Sequence, residues 1–224
     1  PSLPGFLAAF LIKTPIPLLL LLVLCLFILI RRKRLLEWDN IILISIPVFF
    51  FLVNSVAAVS LQLKYVLPVY PFICIFISQI VGLLSGLRPR LVIIIISAWY
   101  IVSSVGIYPH YLAYFNEFVG GPKNGYKYLV DSNLDWGQDL KLLKRYMDKE
   151  GIESVSLAYF GTQDPAYYGI RYANLDPCRP VKGWVAVSAT YLEGVHILRN
   201  GFDWLKGYKP VTAIGYTIFM YHIK

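Results

Sequence analysis

Residues 15–30 read PIPLLLLLVLCLFILI, and the basic run RRKR follows directly at residues 31–34. An apolar run of this kind approaches the roughly 20 residues that a helix needs to cross a bilayer. Three further apolar runs cover residues 41–59, 66–84 and 91–107. Four such runs in succession predict a polytopic α-helical membrane domain with about four transmembrane helices.

The composition of the chain divides it into two parts. Of its 224 residues, 57% are hydrophobic and 15% are charged, with a mean hydropathy of +0.59, whereas a soluble domain averages about 45–50% apolar and roughly 25% charged residues. The apolar excess lies in residues 1–107. We therefore expect a transmembrane domain over 1–107 and a small extracytoplasmic α/β domain over 108–224, which excludes an ordinary soluble enzyme.

The net charge of +8 is also divided unevenly. Residues 1–107 hold eight Lys and Arg residues against two acidic residues, whereas residues 108–224 hold thirteen against eleven. Because the basic residues of the first part flank apolar runs, they indicate membrane topology, and we expect no nucleic-acid partner.

The positive-inside rule gives the orientation, because the basic loops at 31–34 and 87–90 are then cytoplasmic. The chain is predicted to be a multi-pass protein of the cytoplasmic (inner) membrane. Both termini, the Ser60–Lys64 loop and the C-terminal domain then lie outside the cytoplasm.

Residues 1–14 contain too short an apolar run to form a fifth span. Phe6, Phe10 and Lys13 suit the headgroup level of a bilayer. We expect an interfacial segment that bends into the first span at Thr14-Pro15.

The polar half alternates helix and strand signals. Asp135-Trp136-Gly137-Gln138 predicts a capping box, followed by a helix with Leu140, Leu143 and Met147 on one face and Gly151 after its last turn. The other predicted elements are strands at 154–160 and 184–188, a short helix from Leu192 to Leu198, and either a terminal hairpin or one bulged strand across 211–223.

The densest polar stretch is DSNLDWGQD at residues 131–139. Asp131, Asp135 and Asp139 recur at steps of four and can line one side of a helix. The favoured interpretation is structural: Asp135 caps a helix, Asp139 complements its dipole and Asp131 lies in a turn. In a second interpretation, these carboxylates contact a sugar or an acceptor beside the ring of Trp136, and in a third they bind a divalent cation.

Two lysines are placed at the depth of lipid phosphates. Lys64 opens the run KYVLPVYP at the outer mouth of the third span, and Lys13 precedes the first span. Lysines at a membrane boundary extend towards water, or they bind a lipid-linked phosphate through charge-assisted hydrogen bonds. The second explanation makes Lys64 and Lys13 candidate ligands of a lipid phosphate.

The aromatic run YPHYLAYFNE at residues 108–117 fits an interfacial aromatic belt. Alternatively, His110 contacts a sugar or an acceptor. The three cysteines show neither zinc-site nor disulfide spacing, and no hydrolase or P-loop motif is present. Apart from the divalent-cation alternative, we expect no metal and no cofactor.

Four strings of the sequence resemble one family when they are taken together. They are Lys13-Thr14-Pro15, KYVLPVYP at 64–71, YPHYLAYFN at 108–116 and DSNLDWGQDL at 131–140. On these strings, the chain from residue 5 onward resembles the C-terminal half of bacterial glycosyltransferase family 39-like membrane proteins of the GT-C fold. Relatives of that family include the protein O-mannosyltransferases and the aminoarabinose transferases.

The resemblance implies transfer of a sugar from a polyprenyl-phosphate donor to an acceptor outside the cytoplasmic membrane. In such enzymes the catalytic base is an acidic residue of the first extracytoplasmic loop, and no equivalent segment exists here. We therefore expect a fragment that is inactive alone. Its partners are the polyprenyl-phosphate-linked sugar, the lipid bilayer, and a missing N-terminal half or partner subunits. Relatives often carry Arg or His where this chain has Lys64.

Two other classes of protein stay open. The chain fits a non-catalytic accessory subunit, in which the spans anchor an α/β interaction domain. It also fits part of a transporter, although no charged residue lies in the middle of a span, where ion-coupled transport usually requires one.

Overall fold

A computed structural model describes residues 3–56, 63–198 and 200–224. The chain forms two compact units. The first unit comprises Pro1–Tyr111 with Phe115–Val119, and the second comprises Leu112–Tyr114 with Gly120–Lys224. This division falls close to the predicted boundary at residue 107.

The first unit is helical, and every predicted apolar run contains a helix. The helices are α1 (Leu3–Lys13), α2 (Ile16–Arg31), α3 (Trp38–Val56), α4 (Val69–Ser78), α5 (Ile80–Leu83) and α6 (Leu87–Gly106). The predicted end of the second run, at residues 57–59, lies outside the described residues.

Within the described ranges, α3 and α6 are each long and apolar enough to cross a membrane. The pair α1 and α2 adds a third candidate if the two helices, bent by 115° relative to each other, count as one span. The apolar stretch Val69–Leu83 is shorter and is interrupted at Gln79. The chain therefore has two or three helices able to span a bilayer, and four spans stay a prediction.

Polar and proline residues explain these interruptions. Pro15 has no N–H group and disfavours a helical conformation at Thr14, so α1 cannot continue directly into α2. Between α4 and α5, the side chain of Gln79 donates a hydrogen bond to Asn40 Oδ1 at 2.7 Å, and Asn40 donates to the carbonyl of Arg34 at 2.9 Å. These bonds satisfy polar groups that lie among apolar helices.

The predicted bend at Thr14-Pro15 is confirmed by the 115° between α1 and α2, whereas an interfacial position of residues 1–14 stays a prediction. Phe6, Phe10 and Lys13 are 0%, 6% and 7% exposed. The ring of Phe10 meets that of Phe51 edge to face, with 5.5 Å between the ring centres. The apolar face of α1 is therefore buried against other helices of the unit.

The second unit is built around a five-stranded mixed sheet, which confirms an α/β domain. Its strands are β1 (Val155–Ala158), β2 (Tyr172–Asn174), β3 (Gly183–Ser188), β4 (Thr212–Ile214) and β5 (Ile218–Ile223). The strand order is β2-β1-β3-β5-β4. Strand β1 is parallel to β2 and β3, whereas β5 is antiparallel to β3 and β4. The C-terminal segment is thus the predicted hairpin.

Helix α7 (Leu140–Glu150) covers one face of this sheet. Its residues Leu140, Leu143 and Met147 share a buried cluster with residues of β1, β3 and β5. The helix ends at Gly151, whose φ of +67° lets its N–H return to helical carbonyls. The predicted apolar face and the predicted helix end are both confirmed.

The start of this helix differs from the prediction. Helix α7 begins at Leu140, because Gly137 has a φ of +75°, outside the range of a right-handed helix. The predicted capping box does not form. Instead, Gln138 accepts a hydrogen bond from the N–H of Trp136 at 2.7 Å and donates one to the carbonyl of Leu134 at 3.1 Å.

One further helix was predicted at the wrong position, and one strand was not predicted. Helix α8 (Ala189–Leu192) ends where the short helix was expected to begin. Beyond it, Gly194 and His196 have φ values of +73° and +61°, which a right-handed helix excludes. Strand β2 was not predicted, since it has only three residues and all are exposed.

Candidate functional site

The carboxyl ends of β1 and β3 place several polar residues at one edge of the sheet. The two strands are parallel neighbours, and the chain leaves β1 towards β2 on one side before it enters β3 on the other. Ligands of open α/β sheets bind where the strand order reverses in this way. Tyr159 follows β1 directly, and Ser188 is the last residue of β3.

Residues 131–139, here called the Asp135 loop, are hydrogen-bonded to residues that follow β1 and β3 and to a residue that precedes β5. Three hydrogen bonds make the attachment: Asp131 N–H to Thr190 Oγ1 at 3.1 Å, Tyr159 O–H to the Gly137 carbonyl at 2.7 Å, and Thr217 O–H to Asp139 Oδ2 at 2.7 Å. The loop is therefore positioned by tertiary contacts and not by a helix of its own.

Asp135 is the most unusual residue of the loop. It is 0% exposed, and its Oδ1 accepts a hydrogen bond from the Gly137 N–H at 2.9 Å. Its Oδ2 is buried and has no hydrogen-bond partner among residues 3–56, 63–198 and 200–224. A buried polar atom without a hydrogen-bond partner destabilises the folded protein by about 1–3 kcal/mol. A ligand that donates a hydrogen bond to this oxygen would remove that penalty.

The environment of Asp135 also disfavours its charge. Burial raises the pKa of its carboxyl to about 7, and the negative charges of Asp139 and Asp131 add to the increase. The Gly137 N–H and the nearby Ser188 hydroxyl oppose it. Near neutral pH, the carboxyl group is therefore present in both protonated and ionised forms.

Asp139 is buried as well, at 3% exposure, but its Oδ2 has a donor in Thr217. It lies one residue before α7 without making a side-chain cap. Gly215, with a φ of +58°, packs so closely that a Cβ there would overlap the Asp139 carboxylate. The turn between β4 and β5 thus forms a support for this side chain.

The outer part of the loop is more accessible. Asp131 Oδ2 lies 3.3 Å from His196 Nε2, and the His196 ring stacks on Phe160 with 5.5 Å between the ring centres. The neighbouring Ser132 hydroxyl is buried and has no hydrogen-bond partner in the described part of the chain. The ring of Trp136 is 57% exposed.

The favoured sequence interpretation of these aspartates is wrong for Asp135, which caps no helix. The charges of Asp131 and Asp139 raise the pKa of Asp135. The three residues belong to an irregular loop before α7 and do not line one side of a helix. Within the described ranges, no group of three or more His, Cys, Asp or Glu side chains is placed to hold a metal ion. Contact of these residues with a sugar or an acceptor stays a prediction.

Sequence reasoning missed the residues that surround the loop. They are His196, Tyr159, Ser188, Thr190 and Thr217. Their spacing carries no recognisable motif, because they reach the loop from separate strands and from segments that follow or precede strands. The one available signal was that Ser188 ends a predicted strand and that Tyr159 lies one residue before the end of another.

The first unit holds the other candidate residues, and three of the four resembling strings meet there. Lys13, Thr14, Tyr70, Phe115 and Asn116 form what we call the Thr14 corner. The Thr14 and Tyr70 hydroxyls are 2.7 Å apart, and the Asn116 side chain donates to the carbonyls of Leu11 and Thr14 at 2.6 and 2.9 Å. The buried Lys13 ammonium lies 4.2 Å from the centre of the Phe115 ring.

Lys64 and His110 are both placed outside the Thr14 corner. Lys64 is exposed in the 3-10 helix Leu63–Val66, and its ammonium lies 5.2 Å from the centre of the Tyr65 ring. His110 is half-buried and belongs to the first unit, whereas the Asp135 loop belongs to the second.

The chain matches no protein-family model, no curated protein and no solved structure. A buried carboxyl group near its pKa, a partnerless oxygen and an exposed indole together favour a neutral ligand that carries hydroxyl groups.

Proposed function

We propose that the chain is the C-terminal part of a membrane glycosyltransferase that transfers a sugar from a polyprenyl-phosphate donor to an extracytoplasmic acceptor. The Asp135 loop contacts the sugar or the acceptor in this proposal. The observation that carries it is the buried Asp135 Oδ2, which has no partner in the described part of the chain, at the edge of the sheet where ligands bind.

A sugar hydroxyl suits this carboxyl group better than a fixed charge does. Asp135 has a pKa of about 7, because burial disfavours its ionised form. A hydroxyl both donates and accepts hydrogen bonds, so it pairs with either form of the carboxyl group. The exposed Trp136 ring offers an apolar face beside it.

The helical unit supports a lipid-linked donor. Two or three of its helices are able to cross a bilayer, which is where a polyprenyl chain dissolves. Lys64, exposed beside Tyr65, is an accessible cation that we propose contacts the donor phosphate. Lys13 is a weaker candidate because its side chain is buried against Phe115.

The catalytic base is proposed to lie outside these residues. The acids of residues 1–107 are Glu37 and Asp39, and both follow the basic run at 31–34 that the positive-inside rule places in the cytoplasm. The proposal therefore assigns this chain the binding of substrate and the positioning of its sugar, with proton abstraction supplied by the N-terminal half or a partner subunit.

The test is sugar transfer by the full protein in phospholipid nanodiscs, supplied with polyprenyl-phosphate-linked mannose, glucose or aminoarabinose. Asp135→Asn should lower kcat/KM by about two- to tenfold, because Asn replaces one of the two carboxyl oxygens with a group that only donates, and a neutral hydrogen bond is worth about 0.5–1.5 kcal/mol. Glu153→Gln, at an exposed carboxylate in the same unit, is the control and should leave kcat/KM unchanged.

Two results would contradict the proposal. Unchanged transfer by the Asp135→Asn protein would remove the Asp135 loop from substrate binding. Absence of transfer by the wild-type protein with every donor would favour the non-catalytic accessory subunit instead.

A further inference from the structure

A cleft outside the Asp135 loop lies on the face of the sheet opposite helix α7. Side chains alternate between the two faces of a strand, so Phe219 and Tyr221 point away from Met220, which packs in the cluster with α7. Phe219 and Tyr221 line a cleft with a volume of about 390 Å3. This volume falls in the range of about 300–1,000 Å3 typical of small-molecule sites. We propose that the cleft binds a saccharide.

The cleft combines aromatic surface with polar groups. The rings of Tyr126 and Phe219 meet edge to face, with 4.7 Å between their centres, and Tyr208 on the wall is 47% exposed. Aromatic rings of this kind bury the apolar C–H face of a sugar while phenol hydroxyls remain available for hydrogen bonds.

Tyr221 provides the specific evidence for a ligand. It lines the cleft and is only 4% exposed. Burial raises its pKa to about 12, so the phenol stays neutral, and its hydroxyl makes no hydrogen bond within residues 3–56, 63–198 and 200–224. Because Tyr221 lines the cleft, its hydroxyl can donate a hydrogen bond to a ligand there.

Glu193 lines the same cleft as Tyr221. Burial also raises the pKa of Glu193, whereas the charges of Lys206 and Lys127 lower it. The Glu193 carboxylate forms no ion pair in the described part of the chain. It is therefore an acceptor available to a ligand hydroxyl.

The charges around the cleft favour a neutral ligand. Lys206 pairs with Asp203 at 2.7 Å, and the positive charges near Glu193 offset its own charge. A cationic or an anionic ligand would gain little net attraction from such an arrangement. Neutral molecules with many hydroxyls match a site that holds a carboxylate acceptor, a phenol and aromatic walls.

This saccharide site shares no residue with the Asp135 loop, and it is tested by binding and not by transfer. The probes are methyl α-glucoside, methyl α-mannoside, methyl α-galactoside and maltose, titrated into the full protein by saturation-transfer NMR. Phospholipid nanodiscs replace maltoside detergents, whose sugar headgroups would occupy the cleft.

Two variants remove the polar groups, and a third serves as control. Tyr221→Phe keeps the ring and should weaken binding about two- to tenfold, and Glu193→Gln should weaken it about ten- to hundredfold. Tyr167→Phe, at a tyrosine that is 85% exposed and outside the cleft, should leave the dissociation constant unchanged. Melting temperatures identify any variant that fails to fold.

The proposal is overturned if no probe binds the wild-type protein, or if the three variants bind equally well. It is also overturned if spermidine, a cationic probe, binds more tightly than every sugar and is lost in Glu193→Gln. Saccharide binding that persists in a protein without transferase activity would separate this site from the proposed function.

Discussion

The Thr14 corner and the Asp135 loop bury polar groups in opposite ways. At the Thr14 corner, the side chain of Asn116 donates to two carbonyls, and its Oδ1 accepts from the Phe118 N–H at 3.2 Å. In the Asp135 loop, Asp135 Oδ2 and the Ser132 hydroxyl are buried without hydrogen-bond partners in the described part of the chain. The first arrangement stabilises a fold, whereas the second leaves capacity for a ligand.

The largest expected effect tests whether Asp135 is destabilising when it is charged. The pKa of Asp135 is raised to about 7 in the folded protein, against about 3.9 in an unfolded chain. Between these values the unfolded state loses its proton first, so stability falls as pH rises from 4 to 7 and then stays low. At 1.36 kcal/mol per pKa unit, the loss is about 4 kcal/mol.

The measurement compares wild type with Asp135→Asn between pH 4 and pH 8. Groups distant from Asp135 titrate alike in both proteins, so the difference in unfolding free energy reports this carboxyl group together with its coupling to Asp131 and Asp139. The free energy of unfolding of the Asn variant should increase relative to that of wild type as pH rises from 4 to 7. Parallel curves for the two proteins would show that Asp135 is ionised at no cost and that its site is not preorganised for a donor.

The Thr14 corner is tested by Asn116→Ala. The substitution removes the side-chain donor to the buried Thr14 carbonyl and to the part-buried Leu11 carbonyl. Each unsatisfied group costs about 1–3 kcal/mol, so the unfolding free energy should fall by about 3 kcal/mol. Asn124→Ala, which removes exposed hydrogen bonds, is the control and should change it by less than about 0.5 kcal/mol. Equal effects would show that the corner is not held by Asn116.

The contact between Gly215 and Asp139 is tested by substituting two glycines that have similar φ angles. Gly151 and Gly215 have φ values of +67° and +58°, but only at Gly215 would a Cβ meet another residue, the Asp139 carboxylate. Gly151→Ala should lower the free energy of unfolding by about 1 kcal/mol, because of its positive φ alone. Gly215→Ala should cost about 2 kcal/mol, since it also disturbs the Asp139–Thr217 hydrogen bond. Equal melting temperatures would remove Gly215 from the support of the site.

Local sequence signals predicted the elements whose causes are local. The apolar face of α7 and its end at Gly151 follow from helical spacing and from glycine at positive φ. The start of α7 did not follow, because Tyr159 and Thr217 bind the Asp135 loop from later strands and override a capping box. The breaks between helices were likewise unpredictable where they depend on distant partners, as Gln79 depends on Asn40.

The smallest expected effect concerns His196, at the exposed side of the Asp135 loop. Its ring nitrogen lies 3.3 Å from Asp131 Oδ2, and the His196 side chain is 54% exposed. Exposed ion pairs are worth about 0–1 kcal/mol. His196→Asn should therefore change the unfolding free energy by less than about 1 kcal/mol, since Asn tolerates a φ of +61° well.

His196→Val separates the backbone from the side chain at this position. A β-branched residue at positive φ should cost about 1–2 kcal/mol more than Asn, because its Cβ substituents crowd the carbonyl that follows. If His196 also contacts the substrate, the Asn variant melts like wild type and yet transfers sugar more slowly. That result would extend the ligand site from Asp135 to the outer part of the loop, whereas unchanged melting and unchanged transfer would confine it to the buried carboxyl group.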